Sequence, residues 1–314
     1  MTFPVFDLHC DTAYALLGKS LRECGNLRKN NGHVDLERTR QLLGYAQCFA
    51  CFTSTIDPKI PAVELFEREL ATVLREIEKN SDIISLAYSA EDVEKNYKCG
   101  KQSAILTIEG PAGFDFDHGL LQDLYLVGFR MTTLCWNEKN PLTGTHITGG
   151  GLTAQGREFV KTAQKMGMIV DLSHISDDGF WDVIDITDLP VIASHSNSRT
   201  ICNHSRNLTD EMFRAICGTG GVAGINLYSE FLGSNADLDA VCDHIFHFLD
   251  LDPDGLHISL GGDLDGCDRL PEGFSGVQDY NCLSDRLLER GLDAETVMNI
   301  FWNNALGVMK RCCT

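Results

Sequence analysis

The sequence predicts an α/β fold of the (β/α)8 TIM-barrel type, formed by a single domain over residues 1–314. Short apolar segments alternate with helical segments along most of the chain. The segments that resemble strands are apolar throughout, as expected of parallel strands buried on both faces. Ionisable residues follow these strands at their C-terminal ends, where a barrel has its functional face. The rival fold, a doubly wound open sheet, predicts a glycine-rich phosphate turn after an early strand, and we find none.

The individual elements follow from local patterns. The eight predicted barrel strands cover residues 5–9, 45–53, 103–109, 129–136, 168–174, 190–196, 221–228 and 257–262. The predicted helices include 34–43, 62–79, 154–165, 209–217, 238–249, 283–290 and 294–310. An additional strand at 83–88 precedes a helix that begins after an N-cap at Ser89, and Gly167 suits a helix C-cap. Residues 137–151 are polar and rich in glycine, which indicates a long functional loop.

Composition excludes several classes of protein. The net charge of -19 argues against a nucleic-acid partner, because binding phosphates requires a positive surface. No apolar run is long enough to cross a membrane, and we recognise no leader segment. We therefore expect a cytoplasmic protein with no membrane partner, whose 13 cysteines are reduced. Cys312 and Cys313 are expected at the surface.

The strand ends carry a candidate metal site. His9 and Asp11 are two residues apart at the end of the first strand, so both side chains face the same way. Taken singly, each candidate has an ordinary structural explanation, such as a buried hydrogen-bonded histidine. Their recurrence at the same end of successive strands favours a site for two metal ions. The predicted ligands are His9, Asp11 and Glu109 for one ion and Glu109, His174 and His195 for the other, with Glu109 bridging.

The chemistry of these ligands indicates hydrolysis. Imidazole and carboxylate groups without thiolates suit two Zn²⁺ ions, although the native metal is left open between zinc, manganese and iron. Two metals that share a water would supply hydroxide near neutral pH. Asp263 is the predicted base that moves the proton to the leaving amine, and Asp265 is the alternative. The other histidines do not follow strands, and we expect them at the surface or in packing: His33, His118, His146, His244, His247 and His257.

Together these motifs resemble the membrane (renal) dipeptidase family of zinc metallopeptidases, within the amidohydrolase-like superfamily. The resemblance extends over nearly the whole chain and rests on seven segments in the family's order. They are Asp7-Leu-His-Cys-Asp-Thr, Ile108-Glu-Gly, Gly150-Gly-Leu-Thr, Val170-Asp-Leu-Ser-His, Ser194-His-Ser, Cys202-Asn-His-Ser-Arg-Asn and Gly261-Gly-Asp-Leu-Asp-Gly. It implies the same five metal ligands, and it implies that Arg206 holds the C-terminal carboxylate of a dipeptide, with Tyr228 near the substrate. A homodimer is implied by the resemblance alone.

One position departs from the family. Well-known members have a histidine after the fourth strand, where this chain has Trp136, followed by Asn137. An indole N–H can donate a hydrogen bond but carries no charge. Either Trp136, Asn137 or the metal stabilises the oxyanion here, or the substrate range differs.

The residues and this resemblance together predict a binuclear-metal dipeptidase that attacks a dipeptide amide through a metal-bridged hydroxide, and the acceptance of a C-terminal D-residue is left open. Two alternatives remain open. One is a different metal-dependent amidohydrolase acting on a lactam, a lactone or an N-acyl amino acid. The other is a non-catalytic metal-binding or peptide-binding barrel.

Overall fold

The protein is described from a computed structural model that covers residues 1–18, 25–55 and 60–313. Nine parallel strands form one sheet. They are β1 Val5–Cys10, β2 Tyr45–Phe52, β3 Ile84–Leu86, β4 Gln102–Glu109, β5 Phe129–Thr133, β6 Ile169–Asp171, β7 Val191–Ile192, β8 Ala223–Ile225 and β9 Ile258–Leu260.

Eight of these strands close into a barrel in sequence order. The sheet runs β7-β6-β5-β4-β2-β1-β9-β8, and a parallel bridge between Ala193 and Ala223 joins its two ends. β3 lies outside the ring, where it pairs with the beginning of β4 at Gln102 to Ala104. The predicted (β/α)8 barrel is confirmed, and every predicted barrel strand is present. Several of the strands are shorter than predicted because their C-terminal residues leave the sheet and enter the functional face.

Helices surround the ring and also close one end of it. They are α1 Thr12–Ala15, α2 Leu36–Thr39, α3 Ala62–Lys79, α4 Ala90–Lys98, α5 Leu121–Val127, α6 Ala154–Met166, α7 Asp177–Ile184, α8 Asp210–Thr219, α9 Ser229–Leu232, α10 Leu238–Leu251, α11 Tyr280–Glu289, α12 Ala294–Met298 and α13 Asn304–Cys312. Three short 3-10 turns lie at Pro111–Phe114, His118–Leu120 and Val277–Asp279.

Local signals account for most helix boundaries. The Ser89 side chain accepts a hydrogen bond from the backbone N–H of Asp92, as an N-cap does. Gly167 ends α6 with a φ of 83°, a left-handed conformation that glycine adopts without steric cost. The helix predicted at 34–43 is wrong in length, because only Leu36–Thr39 is helical and turns follow it before Gly44. The last predicted helix is interrupted by a π-helical segment at Asn299–Asn303.

The core has two parts. The larger one lies between the strands and the surrounding helices, and the smaller one joins the early residues of the strands to α13. Cys312 and Cys313 belong to the smaller part, with 3% and 2% of their surface exposed, so the prediction that they lie at the surface is wrong. The Cys313 thiol lies 3.9 Å from the carbonyl oxygen of Arg130, at the beginning of β5. α13 therefore covers the end of the barrel opposite the C-terminal strand ends.

Candidate functional site

The C-terminal ends of the strands surround a cavity of about 550 Å³. Every residue that the sequence proposed as a base or substrate contact lines it, together with three of the five proposed ligands, and His9 and His195 lie directly beneath. The lining residues are Asp11, Tyr14, Phe52, Glu109, Trp136, Asn137, His146, Ile147, His174, His204, Arg206, Tyr228, Glu230, Phe231, Asp263, Asp265, Gly266 and Asp268.

His9, Asp11 and Glu109 form the first group of possible ligands. The His9 Nε2 atom lies 3.7 Å from Asp11 Oδ2 and 3.4 Å from Glu109 Oε2. His9 lies in β1 and Asp11 directly follows the last residue of that strand, while β2 lies between β1 and β4, which ends at Glu109. All three side chains are nearly inaccessible to solvent. One cation could contact an atom of each, since these atoms lie within 4.8 Å of one another.

Glu109, His174 and His195 form the second group. Glu109 uses its other oxygen here, because Oε1 lies 2.8 Å from His174 Nε2 and 3.8 Å from His195 Nε2. The two imidazole Nε2 atoms are 3.0 Å apart. The two oxygens of one buried carboxylate therefore face two separate groups of ligands, which is the arrangement that a bridging carboxylate requires.

The ring nitrogens of His195 are assigned by the hydrogen bonds around it. The Ser194 hydroxyl donates to Asp171, which as a carboxylate can only accept. Ser194 Oγ must then accept from the Nδ1–H of His195, 2.6 Å away, which leaves Nε2 with a free lone pair. In the same way, His174 Nδ1–H donates to the amide oxygen of Asn137 at 2.9 Å. Both histidines thus turn an unprotonated Nε2 toward Glu109, as metal-ligating histidines commonly do.

Asp171 is a further carboxylate close to His9 and His195. Its oxygens already accept from the backbone N–H groups of Ser173 and Ser194 and from the Ser194 hydroxyl. Asp171 therefore supports His195 through the Ser194 hydroxyl, which lies between them. We therefore assign it to the hydrogen-bonding shell around the ligands.

Burial and mutual charge shift the pKa values within the cluster. Burial, together with the charge of Glu109, raises the pKa of Asp11 to about 8. Burial acts to raise the pKa of Glu109 as well, but the neighbouring His9 and His174 overcome it and hold that pKa below its ordinary value. Burial and the charge of Arg206 lower the pKa of His174 to about 4, and burial also lowers the pKa of His195. Both of these histidines are therefore neutral at pH 7, as metal binding requires.

The donor set fits divalent cations. His9 Nε2 is buried and has no hydrogen-bond partner among the described residues, although a buried nitrogen without a partner is costly. It points at two carboxylates, and a cation between them would satisfy all three groups. Histidine and carboxylate ligands without cysteine are typical of zinc, manganese and iron sites.

Asp263 and Asp265 both follow β9, but only Asp263 faces the cluster. Its Oδ1 lies 4.0 Å from His9 Nε2, and its Oδ2 accepts from the Asn226 side chain at 3.1 Å. Asp265 instead accepts from the Thr12 hydroxyl at 2.7 Å and from the backbone N–H of His33 at 2.5 Å. The geometry therefore favours Asp263 as the group that exchanges protons with the site.

Arg206 brings a buried positive charge to the cavity. Its guanidinium donates to Ser196 Oγ at 3.2 Å, and its Nε is buried and has no hydrogen-bond partner in the described part of the chain. Within residues 1–18, 25–55 and 60–313, no carboxylate oxygen forms an ion pair with it. Burial lowers the pKa of Arg206, which indicates that the charge is incompletely solvated. An incoming carboxylate would satisfy both the charge and the unused donor.

Aromatic rings form one wall of the cavity. The ring of Phe52 lies edge-on to Trp136, with centroids 4.9 Å apart, and Tyr14 contacts Phe52 from the other side at 5.8 Å. Tyr228 also lines the cavity, next to Phe231, with ring centroids 4.9 Å apart. The sequence analysis named Trp136 and Tyr228 but not the other three residues. Phe52 ends a strand, whereas Tyr14 and Phe231 lie in one-turn helices, and in the sequence these aromatic residues resemble core residues.

His146 is the clearest difference from expectation. The sequence analysis placed it at the surface or in packing, but it lines the cavity and its ring lies 6.2 Å from that of His174. It hydrogen-bonds to Asn137 and to Ser205. Burial, together with the charge of Arg206, lowers its pKa to about 3. In an irregular loop, no periodic pattern predicts which residues a histidine contacts. The only sequence feature that could have indicated a functional role for His146 is its position in the glycine-rich 137–151 segment.

Three residues of the site have an unusual backbone conformation. His174, Asp263 and Asp265 have φ values of 70°, 55° and 68°. Left-handed conformations are uncommon outside glycine and concentrate at functional positions. They turn the chain sharply at the ends of two strands and so direct these side chains into the cavity.

Comparison with known proteins agrees with this geometry. The model of the family described as "Membrane dipeptidase (Peptidase family M19)" matches residues 1–313. The chain belongs to this family.

Individual proteins are similar to this chain over nearly its whole length. An uncharacterized dipeptidase of Schizosaccharomyces pombe is 31% identical, in an alignment that covers 98% of this chain and 80% of that protein. A structure of an M19 metallopeptidase, dipeptidase AC, has a TM-score of 0.89 at 25% identity and covers 99% of both chains. A metallopeptidase from Rhodobacter sphaeroides, solved with a phosphinate mimic of the dipeptide L-Ala-D-Ala, has a TM-score of 0.89 at 24% identity, over 99% of this chain and all of that one.

The predicted family, fold and enzyme class are thus confirmed, since the chain is an M19 metallodipeptidase built on a (β/α)8 barrel. Its residues include clusters suited to metal binding. Among the described residues, no helix is both long and apolar enough to cross a membrane.

Proposed function

We propose that this M19 dipeptidase binds two divalent cations, which we take to be Zn²⁺, and hydrolyses small dipeptides, including those with a C-terminal D-residue. His9, Asp11 and Glu109 hold one ion, and Glu109, His174 and His195 hold the other. The observation that carries this proposal is the orientation of Glu109, whose Oε2 faces His9 and whose Oε1 faces His174 and His195. The dipeptide mimic bound by the Rhodobacter sphaeroides relative supports the substrate class.

Bound cations supply acidified water and positive charge at the scissile carbonyl. The side chains of this chain supply the rest. Arg206 binds the free carboxylate of the substrate and so places the amide bond over the cluster. Asp263 accepts a proton from the attacking water and delivers it to the leaving amine nitrogen. Burial raises the pKa of Asp263, which makes it a better proton acceptor than an exposed aspartate.

The aromatic wall and the polar residues beside it complete the substrate pocket. Trp136 and Tyr228 both line the cavity and limit the space for the two side chains of a dipeptide. The Asn137 side chain is already bonded to His174, so we place it behind the ligands and not against the substrate. The cytoplasmic location and the homodimer stay predictions.

The test combines metal analysis with a substrate panel. Purified protein is analysed for metal content, stripped with a chelator, and reloaded with zinc, manganese or iron(II). Each form is assayed with L,L and L,D dipeptides, N-acyl amino acids, lactams and lactones. We expect two ions per chain and hydrolysis of dipeptides that requires them. Hydrolysis of N-acyl amino acids or cyclic substrates alone would refute the proposed substrate, and one ion per chain at full activity would refute the binuclear site.

A further inference from the structure

His146 is held against the segment that carries a proposed metal ligand. Its backbone N–H donates to the carbonyl oxygen of His174 at 2.9 Å, and Thr145 forms an antiparallel bridge with Ile175. The 137–151 loop is thus fixed to the chain at His174 and at the residue that follows it. This attachment brings the His146 ring beside the ligand without placing it in either ligand group.

Both ring nitrogens of His146 have partners. Nε2 lies 3.0 Å from the amide oxygen of Asn137, and Nδ1 lies 2.8 Å from the hydroxyl oxygen of Ser205. An amide oxygen can only accept, so His146 Nε2 carries the proton. Nδ1 of a neutral imidazole then accepts, and the Ser205 hydroxyl donates to it.

Asn137 connects His146 to the metal ligand. Its amide oxygen accepts two N–H bonds, one from His146 Nε2 at 3.0 Å and one from His174 Nδ1 at 2.9 Å. Without the bond from His146, the Asn137 amide could rotate and offer its NH2 group to His174 instead. His174 would then accept at Nδ1 and carry its proton on Nε2, the atom that faces Glu109 Oε1 at 2.8 Å. A protonated Nε2 has no lone pair for a cation.

We propose that His146 is a positioning residue that orients the Asn137 amide and thereby keeps His174 in the tautomer that binds metal. This inference rests on the proposed function, in which His174 is a ligand of one of two cations. The ring of His146 hydrogen-bonds to Asn137 and Ser205 and not to a proposed ligand. It is the middle member of a hydrogen-bonded series, Ser205, His146 and Asn137, that ends on His174. Removing outer partners of metal-bound histidines typically weakens metal binding by about 10–100-fold.

The alternative is that His146 only packs the loop, where its ring lies 6.1 Å from that of His204. Two substitutions separate packing from hydrogen bonding. His146→Phe keeps a ring of similar size and removes both hydrogen bonds. His146→Gln loses the ring but keeps an N–H donor that can reach Asn137. His118→Phe is the matched control, because His118 lies outside the cavity, in the 3-10 turn after Asp117.

The primary readout is zinc affinity. Metal-stripped full-length protein is titrated with Zn²⁺ in competition with a chromophoric chelator, and two successive dissociation constants are fitted. We expect His146→Phe to weaken one of the two by about 10-fold or more and to leave the other within about twofold of wild type. His146→Gln should recover part of the loss, Ser205→Ala should show a smaller loss in the same step, and His118→Phe should bind like wild type.

Kinetics and thermal unfolding complete the test. With zinc below saturation, the His146→Phe variant should lose kcat, while KM for the dipeptide and the Tm of the metal-free protein stay close to wild type. Unchanged zinc affinity would overturn the proposal. An equal loss at both sites in the Phe and Gln variants, with a lower Tm in each, would show a packing role and would also overturn it. Wild-type protein that binds no zinc refutes both this inference and the proposed function, whereas zinc binding without dipeptide hydrolysis refutes only the latter.

Discussion

Asp263 and Asp265 are two residues apart, have the same chemistry and differ only in their partners. Asp263 faces His9 and accepts a hydrogen bond from Asn226. The oxygens of Asp265 instead accept hydrogen bonds from the Thr12 hydroxyl and from the backbone N–H of His33. The sequence could name both carboxylates but could not choose between them on physical grounds. The choice depends on contacts with residues more than 200 positions away in the chain.

The contrast gives a prediction for Asp263→Asn. The amide cannot accept and deliver a proton at catalytic rates, so kcat should fall about 100-fold or more. Metal content should stay at the wild-type level, because Asp263 belongs to neither ligand group. Asp265→Asn should instead lower the free energy of unfolding by about 1–3 kcal/mol, because it loses buried hydrogen bonds. If Asp265→Asn abolishes turnover in a stable protein while Asp263→Asn stays active, the roles are reversed.

Arg206 leads to a second prediction at this scale. Replacing a dipeptide by its C-terminal amide removes the carboxylate, and wild-type kcat/KM should fall by about 10–100-fold, as expected for loss of a charge-assisted bond of about 1.5–3 kcal/mol. The Arg206→Met variant has no guanidinium to make this bond. It should therefore hydrolyse the acid and the amide with similar kcat/KM. A variant that still prefers the free acid by the wild-type factor would remove Arg206 from this role.

Residue-scale reasoning from the sequence worked where regular structure sets the direction of a side chain. His9 in β1 lies close to Asp11, which directly follows the strand, and parallel strands bring Glu109 to the same face of the barrel. It failed for His146, whose neighbours are set by an irregular loop and by a bond to the backbone of His174. No local pattern in the sequence encodes that contact.

At the scale of elements, the sequence gives the order of strands and helices but overestimates several strand lengths. Residues 172–174 and 194–196 were predicted as parts of strands, yet they leave the sheet after Asp171 and Ala193. The apolar composition of these segments indicates that they are buried. Composition alone does not distinguish a residue buried in a strand from one buried beneath a functional site. Helix α3 was predicted with its observed bounds, because its 18 residues repeat the helical period without interruption.

Gly224 in β8 shows how closely the strand ends pack. A Cβ atom there would lie 1.9 Å from the carbonyl oxygen of Ser194, the residue before His195. Gly224→Ala should therefore force β7 and β8 apart and lower the free energy of unfolding by about 1–3 kcal/mol or more. Gly218 in α8 has open space around its Cβ position, so Gly218→Ala should stabilise the protein by about 0.5–1 kcal/mol. Urea unfolding measures both changes, and equal effects at the two sites would contradict the close approach.

At the scale of the whole molecule, cation binding links stability to pH. Burial and Glu109 raise the pKa of Asp11 to about 8, and for His9 the charges of Glu109 and Asp11 outweigh burial and raise its pKa well above 6.5. In metal-stripped protein both groups hold protons more tightly when folded than when unfolded. The protons on these two groups therefore add to the free energy of unfolding at low pH, and this contribution is lost as the pH rises through the folded pKa of each group. The contributions of Asp11 and His9 are both being lost between about pH 6.5 and 8. The lowered pKa values of His174 and His195 change the stability only below this range.

We accordingly expect the Tm of metal-stripped protein to fall between pH 6.5 and pH 8. Zinc competes with these protons, so the rise in Tm on adding zinc should be larger at pH 8 than at pH 6.5. Differential scanning calorimetry at the two pH values, at equal free zinc, measures this difference. A zinc-induced rise that is the same at both values would show that Asp11 and His9 do not exchange protons for metal.

The central claim is that one carboxylate, Glu109, joins two metal sites at the mouth of the barrel. Anomalous diffraction from zinc-loaded crystals, recorded above and below the zinc absorption edge, tests it most directly. The account predicts two anomalous peaks in each chain, one among His9, Asp11 and Glu109 and the other among Glu109, His174 and His195, with a different Glu109 oxygen nearest to each. A single peak, or peaks that do not contact Glu109, would contradict it.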